Sequence, residues 1–199
     1  MTLSTSLLSA GIGPLLVGLA VGGLIVLIWV IVTYNGLVRT RNTTDESWSG
    51  VDTELKRRYD LIPNLVETVK GYATHERATF ERVIEARNRA AANHGTPEDQ
   101  ARDENNLVGS MKQLFAVAEG YPDLKASRSY LALQEELTTT ENRIQRARRF
   151  YNANVRDLAN RVETFPSNMI AGMFGFERRE FFEIEDSSQR EVPSIDFTD

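Results

Sequence analysis

Few residues in this chain could support catalysis. It contains two histidines and no cysteine, which excludes disulfides, thiolate metal sites and a cysteine nucleophile. His75-Glu76 begins like the zinc-binding helix motif of metalloproteases, but position 79 is threonine where the second histidine ligand is needed. His94 stands beside a glycine in a turn-like stretch. We therefore interpret both histidines as surface residues.

Other catalytic patterns are also missing from the sequence. No glycine-rich phosphate loop leads into a helix, and there is no Gly-x-Ser-x-Gly sequence. The carboxylates of Glu135 and Glu136 are adjacent in sequence, so they point apart on a helix. We expect no enzyme, no metal, no cofactor and no small-molecule substrate. A hydrolase that depends on His75 is the weakest alternative.

The charge distribution also narrows the function. The net charge is −5 over 199 residues, and residues 166–199 alone hold 3 basic and 8 acidic side chains. No basic patch suited to phosphates is visible, so we do not expect a nucleic acid partner. Hydrophobic and charged contents are ordinary for a folded protein.

The segment of residues 11–34 dominates the chain. It is apolar, and no side chain before Arg39 is charged. A helix of about 20 apolar residues spans a bilayer, so we predict a transmembrane anchor over residues 11–38. Trp29 and Tyr34 are expected at the membrane interface. The alternatives are a buried core helix, which would show a polar face, and a signal peptide, which would begin with basic residues.

Two features of the anchor bear on assembly and orientation. Gly18 and Gly22 form a Gly-x-x-x-Gly pair that allows close helix contact, although glycine is common in membrane helices anyway. Arg39 and Arg41 follow the anchor, so the positive-inside rule places the N-terminus outside and the main domain in the cytoplasm of a cell-membrane protein. A glycosylation sequon at Asn42 would matter only for the opposite orientation.

The remaining sequence predicts helices. A new helix is expected to start at Asn42 or Thr44 and to continue to about residue 92, with a kink or break near Asp60 caused by Pro63. A second helix is predicted from Pro97 to residue 119, and a third from residue 123 to residue 164.

We therefore predict an all-α fold, in which an N-terminal transmembrane helix precedes an elongated antiparallel bundle of three main helices, two of them very long. The domain boundaries follow composition: a polar lead at 1–10, the anchor at 11–38, the bundle at 39–165, and an apolar, aromatic segment with an acidic tail at 166–199. The apolar segment is too short to cross a bilayer, so it is expected to cap the bundle, to assist assembly or to lie at a membrane surface. Its aromatic residues are Phe165, Phe174, Phe176, Phe181 and Phe182.

One motif lies around the predicted kink. It reads Lys56-Arg57-Arg58-Tyr59-Asp60-Leu61-Ile62-Pro63-Asn64. Proline leaves the carbonyl near Tyr59 without its helical donor, and we expect Asn64, Arg57 or Arg58 to replace that donor. The motif, including Asp60, is thus interpreted as structural first and as a docking site second.

Several stretches of the chain together resemble the LemA family. They are 34–38, 48–76, 149–176 and 192–197. The resemblance implies a single-pass membrane protein with a helical-bundle domain and no established catalytic activity, so it supplies no catalytic residues. It also implies links to membrane-organelle formation and to membrane metalloproteases.

The main functional hypothesis is a non-enzymatic membrane scaffold that self-assembles on the lipid bilayer as a homo-oligomer, with coiled-coil-like helix stripes. The motivating features are the anchor, the long helices and the apolar segment. The alternative is an adaptor or regulator of a membrane protease or signalling protein, which would have a membrane protein as its partner.

Overall fold

The computed structural model describes residues 3–184, with side chains from residue 15 onward. All regular structure in this range is helical, which confirms the expected all-α class. The helices are α1 (Leu3–Lys70), α2 (Arg77–Ala92), α3 (Pro97–Glu119), α4 (Pro122–Lys125), α5 (Arg128–Glu163) and α6 (Ser167–Phe174). The acidic tail and its 192–197 motif lie outside the described residues.

Helix α1 joins the predicted anchor to the first bundle helix without interruption over 68 residues. The expected helix start at Asn42 or Thr44 is therefore wrong. The hydroxyl of Thr44 donates to the backbone carbonyl of Thr40 at 2.9 Å, and the hydroxyl of Thr40 donates to the backbone carbonyl of Gly36 at 3.0 Å. Threonine hydroxyls can satisfy themselves this way inside a helix, so residues typical of a cap need not end one.

The break in the long amphipathic segment comes later than expected. Helix α1 passes through Pro63 and ends at Lys70, and a loop over residues 71–76 precedes α2, so the expected break near Asp60 is wrong. Proline removes one backbone bond, whereas Ile62 and Leu65 on either side of it are fully buried in the core. Burial on both sides offsets the lost bond. The chain instead breaks at Gly71, because glycine has a low helix propensity.

The boundary of α3 agrees with its sequence signals. Thr96 is the N-cap, and its side chain accepts a hydrogen bond from the backbone N–H of Asp99 at 3.3 Å. Pro97 occupies the first turn, and Glu98 and Asp99 lie near the positive end of the helix dipole.

The third predicted helix is divided in two. A single helical turn, α4, comes first. Just after it, the N–H of Ser127 donates a hydrogen bond to the carbonyl of Leu124, three residues earlier, at 2.9 Å. Leu124 is fully buried, so the turn is fastened to the core before α5 begins. The expected single helix over residues 123–164 therefore starts only at Arg128.

The chain forms two compact units. Unit 2, residues 45–155 with residues 180–184, holds the main apolar core. Its fully buried members include Val51, Ile62, Leu65, Val69, Val83, Leu107, Leu114, Val155 and Phe182. The α1 residues among them follow the three-and-four spacing read from the sequence.

Unit 1 combines α1 up to Thr44 with residues 156–179, which include the end of α5 and all of α6. Its small core consists of Leu37, Ile170, Ala171 and Phe176. Helix α6 ends at Gly175, which adopts a left-handed conformation with φ of 68°, and the N–H of Phe176 donates to the carbonyl of Ala171 at 2.9 Å. The two units are defined by contacts between residues, and they change at residues 44, 155 and 179. The boundaries predicted at residues 38 and 165 were based on composition instead.

The C-cap of α6 gives a matched pair of substitutions. Gly175→Ala should destabilise α6 by about 1 kcal/mol, because a left-handed conformation is costly for a residue with a Cβ. Gly172→Ala should be neutral or stabilising, since Gly172 is helical and a Cβ there meets no atom within 4 Å. Amide hydrogen exchange at Phe176 measures the difference. Equal exchange rates in the two variants would contradict the role of Gly175.

Candidate functional site

A buried arginine lies at the centre of unit 2. Arg58 on α1 is 1% exposed, and its guanidinium is paired with Glu104 of α3, which is equally buried. The Arg58 Nη1 atom also donates to Glu141 of α5 at 2.8 Å. The hydroxyl of Tyr59 donates to the other carboxylate oxygen of Glu104. One guanidinium therefore joins three helices, and we refer to Arg58, Tyr59, Glu104 and Glu141 as the arginine cluster.

The burial of Glu104 can be predicted from its spacing relative to the apolar residues of α3. Ala101, Leu107 and Met111 are buried on α3, and Glu104 shares their helical face. A carboxylate in the register of the core needs a partner, because an isolated buried charge is costly. Searching the buried faces of other helices for a cation would have identified Arg58, whose side chain follows the apolar stripe of α1.

Burial changes the titration of the cluster. The pKa of Tyr59 is raised to about 12, chiefly because burial disfavours the phenolate, while the charge of Arg58 acts in the opposite direction. Tyr59 therefore remains a hydrogen-bond donor to Glu104 at physiological pH. In this cluster the carboxylate of Glu104 is the acceptor, Arg58 is the cation that compensates its charge, and Tyr59 is the neutral donor.

Pro63 creates the next contact in the same region. It has no N–H, so the carbonyl of Tyr59 loses its helical donor. The Nε atom of Arg87 on α2 donates to that carbonyl at 3.0 Å. The expectation that Asn64, Arg57 or Arg58 would fill this role was wrong, because Arg58 is engaged by carboxylates and the donor comes from another helix. The interpretation of the motif as structural is supported at this carbonyl.

The rest of the motif is turned outward. Asp60 and Asn64 are exposed, and the side chain of Arg57 is 47% exposed and 4.0 Å from Glu54. Residues 57, 60 and 64 share one face of α1 by helical spacing. The motif thus divides into a buried half, formed by Arg58 and Tyr59, and an exposed polar strip that could contact a partner.

A pocket of about 320 Å³ opens above the arginine cluster in unit 2. Its apolar walls come from Val108, Met111, Phe115, Leu137, Ile144 and Ile184, and its polar lining comes from Arg58, Lys112, Thr138, Glu141, Asn142, Gln145 and Arg148. Among residues 15–184, none of those lining the pocket is a histidine, cysteine, serine or aspartate. Apolar walls with a few polar groups are typical of a binding site for an apolar side chain or small ligand.

The segment over residues 180–184 is fastened along α5. The side-chain amide of Asn152 donates to the carbonyl of Phe182 at 3.1 Å and accepts from its N–H at 3.0 Å. Tyr151 donates to the carbonyl of Glu180 at 2.9 Å, and Arg148 donates to that of Ile184. The ring of Phe182 packs edge-on against Trp48, with ring centroids 5.2 Å apart. This segment closes the core of unit 2.

The five aromatic residues predicted for assembly or membrane contact therefore have different positions. Phe182 and Phe176 are buried, so their assignment to an external surface is corrected: a neighbouring part of the chain already covers each ring. Phe181 is 39% exposed, whereas Phe165 and Phe174 are 74% and 52% exposed. Only the exposed rings are available to lipid or to a partner.

The anchor residues lie on an open helix surface. A Cβ added to Gly18 or Gly22 would meet no atom within 4 Å, so this face of α1 has room for another helix. Trp29 and Tyr34 are each 37% exposed. The ring of Tyr34 contacts Phe174 and Phe176, with centroid distances of 4.8 and 5.7 Å. The expected position of Trp29 and Tyr34 at a membrane interface stays a prediction.

The candidate catalytic histidines do not form a site. His75 and His94 are exposed, and His75 lies in the loop between α1 and α2 instead of on a helix. Among the residues that the structure describes, no group of three His, Cys, Asp or Glu side chains could hold a metal ion. Neither histidine belongs to the arginine cluster or lines the pocket.

The fold and these sites define an all-α protein with one N-terminal helix that is long and apolar enough to cross a membrane, and with a pocket in its helical domain. A model of the LemA family matches residues 47–197. The chain belongs to the LemA family. The match begins after the predicted anchor at residues 11–38, so it covers the bundle and the C-terminal segment but not the anchor.

The chain is similar to several named relatives. It is 26% identical to Protein LemA of Metamycoplasma hominis, over 69% of this chain and 63% of that protein. It is 25% identical to Magnetosome protein MamQ 2 of Paramagnetospirillum magneticum, over 77% and 66%. It is 23% identical to Magnetosome protein MamQ of Magnetospirillum gryphiswaldense, over 86% and 74%. The chain spans less than two thirds of the length of the first two relatives.

Removing one charge from the arginine cluster should be strongly destabilising. Glu104→Gln leaves Arg58 buried without its full counter-charge, and we expect a loss of about 3 kcal/mol in the free energy of unfolding. Replacing the buried set with apolar residues, as Arg58→Met, Tyr59→Phe and Glu104→Leu together, should recover much of that loss. Chemical denaturation followed by circular dichroism measures both.

The exposed ion pair between Arg77 and Glu81 is the control for this experiment. Its atoms are 2.7 Å apart, but the side chains are 88% and 63% exposed. Glu81→Gln should lower the free energy of unfolding far less than Glu104→Gln does, because solvent screens exposed pairs. If Glu104→Gln had an effect as small as Glu81→Gln, the arginine cluster would not be the centre of unit 2.

The pKa of Tyr59 gives a pH prediction with a definite sign. The folded state keeps Tyr59 protonated up to a pKa of about 12, whereas the unfolded chain ionises it near 10. The stabilisation is complete below pH 10 and is lost as the pH rises towards 12. The melting temperature of Tyr59→Phe should therefore fall less steeply than that of the unmodified chain across this range. Parallel curves would show that Tyr59 is not buried as described.

Proposed function

We propose that this chain is a non-enzymatic, membrane-anchored helical scaffold that self-assembles in the bilayer. The observation that carries the proposal is the uncovered apolar surface of α1. Between Leu15 and Val32 its large side chains are mostly 50–66% exposed, and no residue of the most apolar window is buried within the chain. Apolar surface of that extent needs lipid or other protein around it.

Two features of the chain favour a membrane anchor over a buried core helix or a cleaved leader. A core helix would be covered by its own chain, which this one is not. A cleaved leader would be separate from the folded domain, whereas α1 continues to Lys70 and supplies core residues to unit 2. A membrane assembly would also agree with the names of the magnetosome relatives. We propose an outside N-terminus and a cytoplasmic helical domain, because Arg39 and Arg41 follow the apolar stretch and the positive-inside rule favours basic residues on the cytoplasmic side.

Self-assembly is supported by the open face around Gly18 and Gly22. Small residues four apart let two helix backbones approach closely in a membrane, where packing replaces the hydrophobic effect as the driving force. The two glycines lie on the same face of α1, and no described side chain occupies the space beside them. A second α1 fits this face because it would present the same small residues.

An adaptor for a membrane protease or signalling protein is the second candidate function. The pocket in unit 2 favours it, because its apolar walls and the nearby Lys112 and Arg148 suit an apolar peptide segment with acidic neighbours. The exposed strip formed by Arg57, Asp60 and Asn64 gives a second surface for the same class of partner. An adaptor would be recovered with a foreign protein at fixed stoichiometry.

The particle mass in mild detergent distinguishes the two functions. We expect a homo-oligomer for the unmodified chain and a shift towards monomer for Gly18→Leu with Gly22→Leu, because the larger side chains separate the helices. Gly23→Leu is the matched control, since Gly23 is equally open but faces about 100° away on the helix. A monomeric unmodified chain, or equal effects of all three substitutions, would contradict assembly through this face. A stoichiometric foreign protein would favour the adaptor.

A further inference from the structure

Helix α6 has an unusual distribution of apolar side chains. Ile170 and Ala171 face inward and are 4% and 1% exposed. On the other side, Met169 and Met173 are 61% and 73% exposed. Phe174, at the end of the helix beside Tyr34, is 52% exposed. Phe165, just before the helix, is 74% exposed. A helix this short with an apolar inner side and an apolar outer side needs a second apolar environment.

The position of α6 within unit 1 indicates what that environment is. The small core that holds α6 packs against Val30, and Tyr34 contacts the ring of Phe174. These two α1 residues lie at the end of the charge-free stretch, before Arg39. A span of about 20 residues fills the hydrocarbon layer, and no side chain before Arg39 is charged, so Val30 and Tyr34 lie towards the C-terminal end of the apolar stretch. Helix α6 therefore lies beside α1 at the depth where the apolar stretch ends.

The charges of unit 1 agree with that depth. Its sequence ranges hold six basic and three acidic side chains, whereas the whole chain has a net charge of −5. The guanidinium of Arg41 lies 5.4 Å from the ring centre of Phe176, and the Nη1 atom of Arg161 would lie 3.2 Å from a Cβ added to Gly36 of α1. These arginines are close to α6 and come after the apolar stretch of α1. Such a band of cations is suited to the phosphates of lipid headgroups.

We propose that α6 is a second membrane contact, which inserts Met169 and Met173, with the adjoining Phe165 and the exposed part of the Phe174 ring, among phospholipids at the boundary between headgroups and acyl chains. The proposal rests on the anchoring role of α1 proposed above. Interfacial helices bury their apolar face about 5–10 Å into this boundary. The exposed side chains of α6 continue the apolar surface of the anchor, so one lipid surface covers both.

The absence of cysteine makes the proposal directly testable in the whole chain. Met173→Cys would carry an environment-sensitive nitrobenzoxadiazole label, in vesicles of phosphatidylcholine and phosphatidylglycerol that contain spin-labelled lipid quenchers at a shallow or a deep position. We expect a blue-shifted emission and quenching that is stronger with the shallow quencher. Met169→Cys is a second position on the same face, in case one variant folds poorly by circular dichroism.

Two further labels serve as controls. Leu131→Cys reports on an apolar side chain of α5 in unit 2 that is 49% exposed, and Met173→Cys should be quenched at least about threefold more than it. Leu24→Cys reports on the centre of the anchor and should be quenched best by the deep quencher. If Leu24→Cys is quenched and both α6 labels are not, the inference on α6 is overturned while the anchor stands. If Leu24→Cys is not quenched, the proposed anchoring role itself fails.

A second copy of the chain is the other possible cover for this face, and the same labels detect it. Quenching by lipid should be independent of the protein-to-lipid ratio if α6 meets phospholipid. An emission shift that occurs only at high protein density, without lipid quenching, would assign the face to contact between copies and would overturn the proposal.

Discussion

The buried charge of Arg58 is the constraint on which unit 2 depends. A guanidinium that has left water must be compensated within hydrogen-bonding distance, and here the compensation comes from Glu104 on α3 and Glu141 on α5. Hydrophobic contacts tolerate small shifts along a helix, but this arrangement does not, because an offset of one residue would leave a charge unpaired. The cluster thus fixes the register of three helices whose apolar stripes alone would allow several. The wall of the pocket includes Arg58 and Glu141, so the pocket inherits that fixed geometry.

Unit 1 is organised by a different requirement. Its own core is small, and much of its apolar surface, on α1 and on the outer side of α6, is not covered by the described chain. A unit of this kind reaches its lowest free energy only when another phase or another molecule covers that surface. The two units therefore differ in how their apolar surface is covered: unit 2 buries most of it among its own side chains, and unit 1 leaves much of it exposed.

The sequence predicted the helical class, the core stripe of α1 and the cap of α3, because each depends on residues close together in the chain. Val51, Leu55 and Ile62 are buried as their spacing indicates, and Thr96 caps as its neighbours indicate. The sequence did not predict the continuity of α1 through Thr44, since a threonine hydroxyl can cap a helix or bond within one. It also did not predict that Arg87 serves the carbonyl of Tyr59. That pairing joins residues far apart in sequence, and only the packing of α2 against α1 brings them together.

The candidate site was predictable in the same limited way. The motif around Pro63 was recognised, yet its buried half depends on Glu104 and Glu141, which no local pattern connects to it. The aromatic segment was recognised as unusual, but sequence could not separate the buried rings of Phe176 and Phe182 from the exposed ring of Phe174. Whether a ring is buried depends on which neighbour covers it. For Phe182, Asn152 holds the backbone and the ring of Trp48 packs against the side chain.

Pro63 has a consequence for how this domain can vary. By withholding one N–H, proline turns an ordinary carbonyl of α1 into a single unfilled acceptor, and Arg87 recognises it from α2. This carbonyl fixes where α2 can bind along α1, because the neighbouring carbonyls already accept hydrogen bonds within the helix. Because the hydrogen bond from Arg87 to the Tyr59 carbonyl aligns α2 with α1, the loop over residues 71–76 does not have to determine that alignment. Changes in the length of that loop are therefore tolerable, whereas moving the proline by one position would also require moving its arginine.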